Sequence, residues 1–287
     1  MTNNNQVDNF KGFSMAMYST WLWHRPTRSM FDAGEGISVH MRNYVFAIEN
    51  IFLSHGHHDH LGGLAGLTLA RSAARGDKEK PFYVYHPQGW EKIAMLKDYI
   101  DKATNGRSNI VWKAISYGHD VAIDDSGKVI RSFRVNHARN LLCLGYAIVE
   151  KRTRLRKDLI GKSGREIADI AAKTGRNSVN EPYEKIVAAY SGDCTPVNPE
   201  SVKGADVLFH EATFVNEDDM DVGGGHSTVR GAVEVAFRAE VGMLVLYHIS
   251  TRYMLSDVKT AARKAAKDFG FDRPIKILDG ANMIDVV

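Results

Sequence analysis

Short apolar and β-branched runs recur along the whole chain, separated by turns or polar stretches. Runs of this length and composition are typical of β-strands. We predict strands at YVFAI with IFL (44–48 and 51–53), FYVY (82–85), IVWKAI (110–115), VIRSFRV (129–135), LCLGYAIV (142–149), IVAAYS (186–191), DVLF (206–209), MLVLY (243–247) and IKIL (275–278).

Three stretches between these strands carry apolar residues at helical spacing. The first runs from about Pro87 to Ala103. The second is predicted to begin after Ser227 and the third after Ser256, because serine favours the N-cap position, and Gly270 suits the end of the third. The expected buried faces consist of Val229, Ala232, Val233, Ala236 and Phe237 in the second helix and of Val258, Ala261, Ala262, Ala265 and Phe269 in the third.

This mixture of strands and helices predicts an α/β fold in which helices cover sheets. One stretch, at about 151–185, departs from this pattern of apolar strands and amphipathic helices because it is polar and rich in charge. It carries a single candidate helix, SGREIADIAAKTG (163–175). We therefore interpret residues 1–287 as one domain with an arm or insertion projecting from it at about 151–185.

Composition narrows the classes of protein that remain. Apolar residues make up 44% of the chain and charged residues 25%, as in an ordinary globular domain. The net charge of +3 is too small to indicate a nucleic-acid partner by itself. Cys143 and Cys194 are the only cysteines, which favours the cytoplasm over a disulfide framework. The polar start and the short apolar runs predict neither a signal peptide nor a membrane helix.

A single short segment holds four residues of the types that bind transition metals. The segment IFLSHGHHDHLGGL begins as an apolar strand and continues into His55, His57, Asp59 and His60. Zinc accepts imidazole and carboxylate ligands, and manganese and iron accept them too. His55 and His57 are spaced to face one ion, and the adjacent Asp59 and His60 to face a second. A solvated histidine-rich loop is the alternative, but a position directly after an apolar strand favours a metal site.

One segment cannot complete two metal sites, so further ligands are expected at other strand ends. His137 follows VIRSFRVN, Asp193 follows IVAAYSG, and His248 follows MLVLY. Taken singly, each is as compatible with an ordinary core or surface residue as with a ligand. Together with the cluster, they form a candidate ligand set for two ions, which would activate water and clamp the oxygens of a phosphoryl group.

These motifs resemble those of the metallo-β-lactamase superfamily. SHGHHDH resembles its His-x-His-x-Asp-His motif, and the similarity within the superfamily is to the ribonuclease Z branch. Five further motifs follow the order of that branch and extend the resemblance over nearly all of the chain: DAGEG (32–36), SGD (191–193), FHEATF (209–214), HST (226–228) and HISTRY (248–253).

The resemblance implies an α/β fold of the αββα sandwich type, with two mixed sheets flanked by helices. It also implies a hydrolase with two Zn²⁺ ions, for which Mn²⁺ or Fe²⁺ are possible replacements. The implied ligands are His55, His57 and His137 on one ion, Asp59, His60 and His248 on the other, and Asp193 between them.

Catalytic roles are implied as well. His226 would donate a proton to the leaving oxygen, Glu211 would orient His226, and Asp59 would help to position the attacking hydroxide. A ribose oxygen leaves poorly unless it is protonated, so an imidazole suits this task. The candidate substrate contacts beside these motifs are Ser227, Thr228 and Arg252, the last with a structural salt bridge as its equal alternative.

Two substrates contain the bond that this chemistry would break. One is a 3′,5′-cyclic mononucleotide such as cyclic CMP or cyclic UMP, opened to the 5′-monophosphate, as in the anti-Pycsar immune evasion proteins. The other is precursor tRNA, as in ribonuclease Z. A missing Gly-Thr-Gly turn near the start, an arm without proline at 159–177 and the weak net charge favour the cyclic nucleotide. The basic run KRTRLRK (151–157) favours RNA, unless it is a solvated strand edge.

Other classes of function are weaker fits. A scaffold without activity would tolerate loss of ligands, and none is missing from the motifs. A β-lactamase or thioester hydrolase would not need the added acid of FHEATF and HST. The resemblance further implies a homodimer, and the expected location is the cytoplasm, or that of a host if the protein is viral.

Overall fold

The computed structural model describes residues 4–73, 80–123, 127–220 and 224–286. Its first sheet is mixed and has six strands in sequential order. Strands β1 to β3 pair antiparallel, and β3 to β6 pair parallel. The strands are β1 (Phe10–Met15), β2 (Ser19–His24), β3 (Ser29–Phe31), β4 (Asn50–Phe52), β5 (Phe82–Pro87) and β6 (Ile110–Ile115).

The second sheet is also mixed and has eight strands. Its three parallel pairs lie between β10 and β13, and its other pairs are antiparallel. The strands are β7 (Asp120–Ala122), β8 (Lys128–Val135), β9 (Cys143–Leu155), β10 (Asn180–Tyr190), β11 (Val207–Glu211), β12 (Leu244–Tyr247), β13 (Ile275–Asp279) and β14 (Asn282–Asp285).

Helices connect the strands. Within the described ranges, none of them has the length and apolar character that a bilayer crossing requires. They are α1 (Asn4–Val7), α2 (Ile37–Met41), α3 (His58–Leu61), α4 (Leu64–Ala73), α5 (Glu91–Ala103), α6 (Gly164–Thr174), α7 (Val229–Arg238) and α8 (Leu255–Phe269), with short 3₁₀ turns at Arg42–Ala47, Lys157–Leu159, Arg176–Ser178, Pro199–Val202 and Glu217–Asp219.

Successive residues of the buried strands point to opposite sides of each sheet. In β4, Ile51 packs with the residues that contact the helices, whereas Phe52 packs between the two sheets. Leu208 and Phe209 divide in the same way in β11. Because both faces of each sheet are covered, these strands read as continuous apolar runs. The result is the predicted αββα sandwich with two mixed sheets flanked by helices.

Most predicted elements are present, and one is wrong. Residues 44–48 form most of a 3₁₀ turn, Arg42–Ala47, and not a strand. Val45 and Ile48, three residues apart, are buried, while Tyr44 and Phe46 are exposed. That spacing belongs to a 3₁₀ turn and not to a strand, in which buried residues alternate.

Helix boundaries shift by a few residues from the predictions. The first predicted helix begins at Glu91 because Pro87 ends β5. The N-cap of α7 is Thr228, not Ser227, and α8 begins at Leu255, so Ser256 lies inside it. Phe237 is 44% exposed and therefore does not join the buried face of α7. Gly270 ends α8 with a φ of 73°, as predicted.

The charged stretch at 151–185 consists of a two-stranded ribbon with a helix at its tip. The ends of β9 and β10 continue their antiparallel pairing out to Leu155 and Asn180. Between them lies the predicted helix α6, whose N-cap Ser163 forms a capping box with Glu166. No side chain of α6 is buried, so this helix contributes nothing to the core. The division of the chain into one domain plus arm stays a prediction.

Candidate metal centre and catalytic site

Two groups of ligand-type side chains meet at the carboxyl ends of strands from both sheets. Within each group, the ligand atoms lie within 4.8 Å of one another. The segment after β4 contributes to both groups, and the segments after β8, β10 and β12 supply the rest. The first group is His55, His57 and His137, and the second is Asp59, His60, Asp193 and His248.

Hydrogen bonds fix which nitrogen of three histidines faces the centre. The Ser54 hydroxyl donates to Asp32, so it must accept from His55 Nδ1, at 2.8 Å. His137 Nδ1 donates to the carbonyl of Gly225 at 2.9 Å. Each ring therefore presents an unprotonated Nε2 inward, and this is the form of imidazole that binds a metal ion.

A hydrogen bond to a threonine fixes the orientation of the His248 ring in the same way. Its Nδ1 lies 2.9 Å from Thr213 Oγ1, whose hydroxyl donates to Glu211 at 3.0 Å. The inward Nε2 of His248 lies 3.4 Å from His60 Nε2 and 3.2 Å from an oxygen of Asp59. An oxygen of Asp193 lies 3.2 Å from His60 Nε2 and 3.4 Å from His248 Nε2, so the ligand atoms of all four residues in the second group converge on a small volume.

Electrostatics divides the ligands into neutral and charged members. Burial, assisted by the neighbouring rings, lowers the pKa of His55 well below its usual value and that of His57 to about 4. Burial likewise lowers the pKa of His137. These three imidazoles are neutral at pH 7, as metal binding requires.

His60 has the opposite tendency. Burial opposes its charge, but Asp193 and Asp32 outweigh burial and raise its pKa well above the usual value. Burial would raise the pKa of Asp193, yet the charges of His248 and His60 lower it well below its usual value. A proton on His60 thus supplies positive charge among buried carboxylates, and a bound cation would supply it instead.

Unpartnered atoms test whether the centre fits metal ions. Five buried side-chain atoms of the described residues have no hydrogen-bond partner, and two of them, His55 Nε2 and Asp193 Oδ1, lie in the candidate centre. A buried polar atom without a partner is costly, by about 1–3 kcal/mol. Both atoms belong to the two ligand groups, so cations held there would satisfy them. The donor set of imidazoles and carboxylates fits zinc and also manganese or iron.

Asp32 supports the centre from behind and was not predicted as a site residue. Its carboxylate is fully buried and accepts bonds from Ser54 N and Oγ, His60 Nδ1 and the Tyr190 hydroxyl, all at 2.6–2.7 Å. Its backbone has a φ of +57°, which is unusual for a residue other than glycine. The motif DAGEG draws attention to Asp32 in the sequence, but only the fold shows that this aspartate faces His60.

A close backbone contact holds the DAGEG turn against the metal-binding loop. A Cβ at Gly63 would lie 2.0 Å from the carbonyl oxygen of Gly34. A Cβ at Gly34 would lie 2.4 Å from the carbonyl oxygen of Asp59. Glycine is therefore required at both positions, and the contact fixes the loop that carries Asp59 and His60.

His226 and Glu211 form a pair beside both ligand groups. His226 Nδ1 donates to Glu211 Oε1 at 2.8 Å. The Glu211 carboxylate is fully buried and also accepts bonds from Cys194 N, Ser227 N, and the backbone and hydroxyl of Thr213. Burial would lower the pKa of His226, but the bond to Glu211 and its charge raise that pKa to about 9. His226 is thus held as a proton donor with its Nε2 directed away from Glu211.

The predicted substrate contacts occupy different surroundings. The buried hydroxyl of Ser227 donates to Cys194 O at 2.8 Å, and that of Thr228 accepts from Gly231 N as the cap of α7. Both hydroxyls are thus engaged inside the fold. Arg252 is exposed, lies over the Phe214 ring and donates to the Ser250 hydroxyl at 3.2 Å. Contact of these residues with substrate stays a prediction. Gly223, in the glycine run before His226, lies outside the described residues.

Comparison with known proteins places the chain in a family. The model of the β-lactamase superfamily domain matches residues 27–156 and 175–249 and leaves out the segment that contains α6. A ribonuclease Z of Natronomonas pharaonis is 34% identical over 277 residues, covering 88% of this chain and 87% of that protein.

Solved structures show the same fold. The metallo-β-lactamase fold protein YhfI of Bacillus subtilis superposes with a TM-score of 0.66 at 16% identity, covering 96% of this chain and 98% of its own. The short form of human tRNase Z superposes with a TM-score of 0.58 at 22% identity, covering 85% and 93%. From its motifs, its fold and these relatives, the chain belongs to the metallo-β-lactamase superfamily, in the branch of the ribonuclease Z proteins.

Proposed function

We propose that this protein is a metal-dependent phosphodiesterase that opens the bond between phosphorus and the 3′ oxygen of 3′,5′-cyclic mononucleotides. The observation that carries this proposal is the His226–Glu211 pair beside two groups of metal-binding side chains. Hydrolysis of a phosphodiester with an alkoxide leaving group requires a proton donor as well as an activated nucleophile. The site combines residues for both tasks.

The two ligand groups would hold one divalent cation each, with Asp193 between them. Such ions would lower the pKa of a water molecule and offset the charge of the phosphate oxygens. Asp59 keeps its carboxylate ionised: burial opposes its charge, but bonds to His248 and His60 hold its pKa below the usual range. An ionised carboxylate at this edge can orient the attacking water.

His226 would complete the reaction at the leaving oxygen. With Nδ1 bonded to Glu211, its Nε2 proton is free to pass to the 3′ oxygen as the P–O bond breaks. Glu211, charged and buried, stabilises the imidazolium before the transfer and keeps the ring in place afterwards. The products would be a 5′-phosphate and a free 3′-hydroxyl.

A small substrate is favoured by the charge pairing on the arm. Three arginines of the basic run bond to carboxylates: Arg152 to Glu150, Arg154 to Glu181 and Arg156 to Asp158. Exposed pairs of this kind add little stability. They do neutralise charge that an RNA backbone would otherwise use. The pairing supports the interpretation of this run as a solvated strand edge.

The second candidate is a ribonuclease Z that processes the 3′ end of precursor tRNA. The observation in its favour is the relative of that name, which aligns with 88% of the chain. The same bond would break and the same residues would act. The two candidates therefore differ in the surface that receives the rest of the substrate and not in the chemistry of the centre.

The deciding experiment offers both substrates to the purified protein. Cyclic CMP, cyclic UMP, cyclic AMP and a precursor tRNA are incubated with it, with and without chelator, and the products are separated by chromatography or electrophoresis. We expect chelator-sensitive opening of the cyclic nucleotides to 5′-monophosphates, with the tRNA intact. Cleavage of the tRNA alone would establish the second candidate, and a 3′-phosphate product would contradict the proposed bond.

His226→Ala tests the proton donor. Turnover should fall by about a hundredfold or more. Metal content, measured by mass spectrometry, should stay at the wild-type value because the seven predicted ligands remain. His58→Ala is the matched control, since His58 lies among the ligands in sequence but is exposed and in neither group. Equal activity of both variants would remove His226 from the mechanism.

A further inference from the structure

A cavity of about 610 Å³ lies directly beside the metal centre. Its walls are the end of β8, the loop from there to β9, Thr195, and the glycines that precede His226. His137 belongs both to this wall and to the first ligand group. The volume is in the range of cavities that bind small organic ligands.

The wall between cavity and centre is tightly built. His137 Nδ1 donates to the carbonyl of Gly225 at 2.9 Å, which joins the β8–β9 loop to the loop of His226. A Cβ at Gly225 would lie 2.0 Å from the carbonyl oxygen of His137, so the two backbones are in direct contact. A ligand in this cavity therefore lies next to the segment that carries the proton donor.

The cavity carries positive charge without a compensating carboxylate. Arg134 and Arg139 both line it, and both are exposed. In the part of the chain that the structure describes, no carboxylate lines the cavity and neither guanidinium is paired with one. Arg134 contacts the ring of Tyr117 at 6.0 Å. The nearby Arg131, by contrast, bonds to Asp120 and Glu184.

The other lining groups suit a flat polar ring. Asn136 and Asn140 add amide groups, and Leu141 and Leu142 add apolar surface. Leu141 is 39% exposed, so its side chain is accessible to a ligand in the cavity. Guanidinium and amide N–H groups donate to oxygen acceptors, while leucine side chains pack against the face of a ring.

We propose that this cavity binds the nucleoside of the substrate, with Arg134 and Arg139 donating to oxygens of the base and ribose. This inference rests on the proposed function. A cyclic mononucleotide has one phosphate, which the metal centre would take, so the acceptors left for these guanidiniums are base carbonyls and ribose hydroxyls. His226 would protonate the 3′ oxygen, and that oxygen and the base belong to the same nucleoside. The base is therefore expected on the side of the Gly224–His226 loop.

The test measures binding and needs no turnover. Uridine 5′-monophosphate and inorganic phosphate are titrated calorimetrically into the metal-loaded protein. The ratio of their affinities then measures the contribution of the nucleoside to binding. We expect the nucleotide to bind at least about tenfold more tightly than phosphate. Arg134→Met and Arg139→Met keep the aliphatic stem and should each reduce that ratio by about tenfold, with phosphate affinity unchanged.

Arg152→Met is the matched control, because that arginine pairs with Glu150 on the arm and lies outside the cavity wall. It should leave both affinities unchanged. Equal affinity of wild-type protein for the two ligands would overturn the proposal, as would cavity variants that keep the ratio or weaken both ligands alike. A protein that binds the nucleotide through these arginines but opens no cyclic nucleotide would refute the proposed activity and leave the nucleoside site standing.

Discussion

At the scale of single residues, the candidate centre depends on hydrogen bonds made by the sides of the ligands that face away from it. Ser54, Gly225 and Thr213 each hold one histidine by Nδ1, and Asp32 holds His60. Such outer contacts select the tautomer and orient the ring before an ion arrives. They form a layer of residues that the ligand motifs alone do not reveal.

Asp32→Asn tests this layer. The amide would place an N–H group among the donors Ser54, Tyr190 and His60, so at least one bond is lost and the negative charge behind His60 disappears. We expect metal affinity to fall about ten- to a hundredfold. Competition with a chromophoric chelator measures it. Asp120→Asn, at an exposed carboxylate paired with Arg131, is the control; unchanged affinity in Asp32→Asn would show that the contact is only structural.

Glu211→Gln tests the proton donor through its pH dependence. With its pKa raised to about 9, His226 is protonated below that pH, so activity should be full at neutral pH and decline as pH rises through about 9. Glutamine keeps the shape but not the charge that raises this pKa. The alkaline decline of turnover should therefore move toward neutral pH, as a pH–rate profile would show. If the alkaline decline of turnover stays at the same pH in the variant, Glu211 does not raise the pKa of His226.

At the scale of elements, every candidate ligand follows the carboxyl end of a strand or lies in the short helix after one. The strands β4 and β12 are buried throughout, and so are the last four residues of β10, so the ends of these strands are fixed relative to one another. Catalytic side chains placed on such ends need little further ordering. The arm differs because its helix α6 buries no side chain.

Replacing residues 157–178 with an Asn-Gly turn tests the arm. Arg156 N donates to Val179 O at 3.0 Å, so the two cut ends already lie at the distance of a hairpin. The variant should keep its metal content and its opening of cyclic nucleotides within about twofold, because the arm lies outside the centre and the core. Activity assays and metal analysis measure both. A large loss of cyclic nucleotide turnover would mean that the arm takes part in the reaction.

At the scale of the whole molecule, the candidate ligands connect the two sheets. Four follow β4 in the six-stranded sheet, and three follow strands of the eight-stranded sheet. Metal-binding sites that use ligands from both sheets can form in full only in the folded sandwich. Metal binding is therefore coupled to folding stability.

Metal loading should raise the unfolding temperature. At a hundredfold excess over its Kd, one ion adds about 2.7 kcal/mol to the free energy of unfolding. That corresponds to a rise of about 5 °C or more for a chain of this size. Differential scanning calorimetry with and without chelator measures the shift. His248→Ala should reduce this rise in unfolding temperature, whereas His58→Ala should not. An unfolding temperature that does not change with metal would contradict a metal site built from both sheets.

The sequence alone predicted the αββα class, nine of the fourteen strands in the described residues, the helices α5 to α8 and the candidate ligands; it missed the strands β1, β2, β3, β7 and β14 and the helices α1 to α4. The predicted features are local: an apolar run, a cap or a motif such as SHGHHDH lies within a few neighbouring residues. Residues 44–48 were mistaken for a strand because an apolar run does not show which side chains are buried. Only the tertiary structure decided that Asp32 lies behind His60, that Thr213 connects Glu211 to His248, and that Arg134 and Arg139 share a cavity with His137. Those contacts join residues far apart in the chain, and their distances are set by how the two sheets pack together.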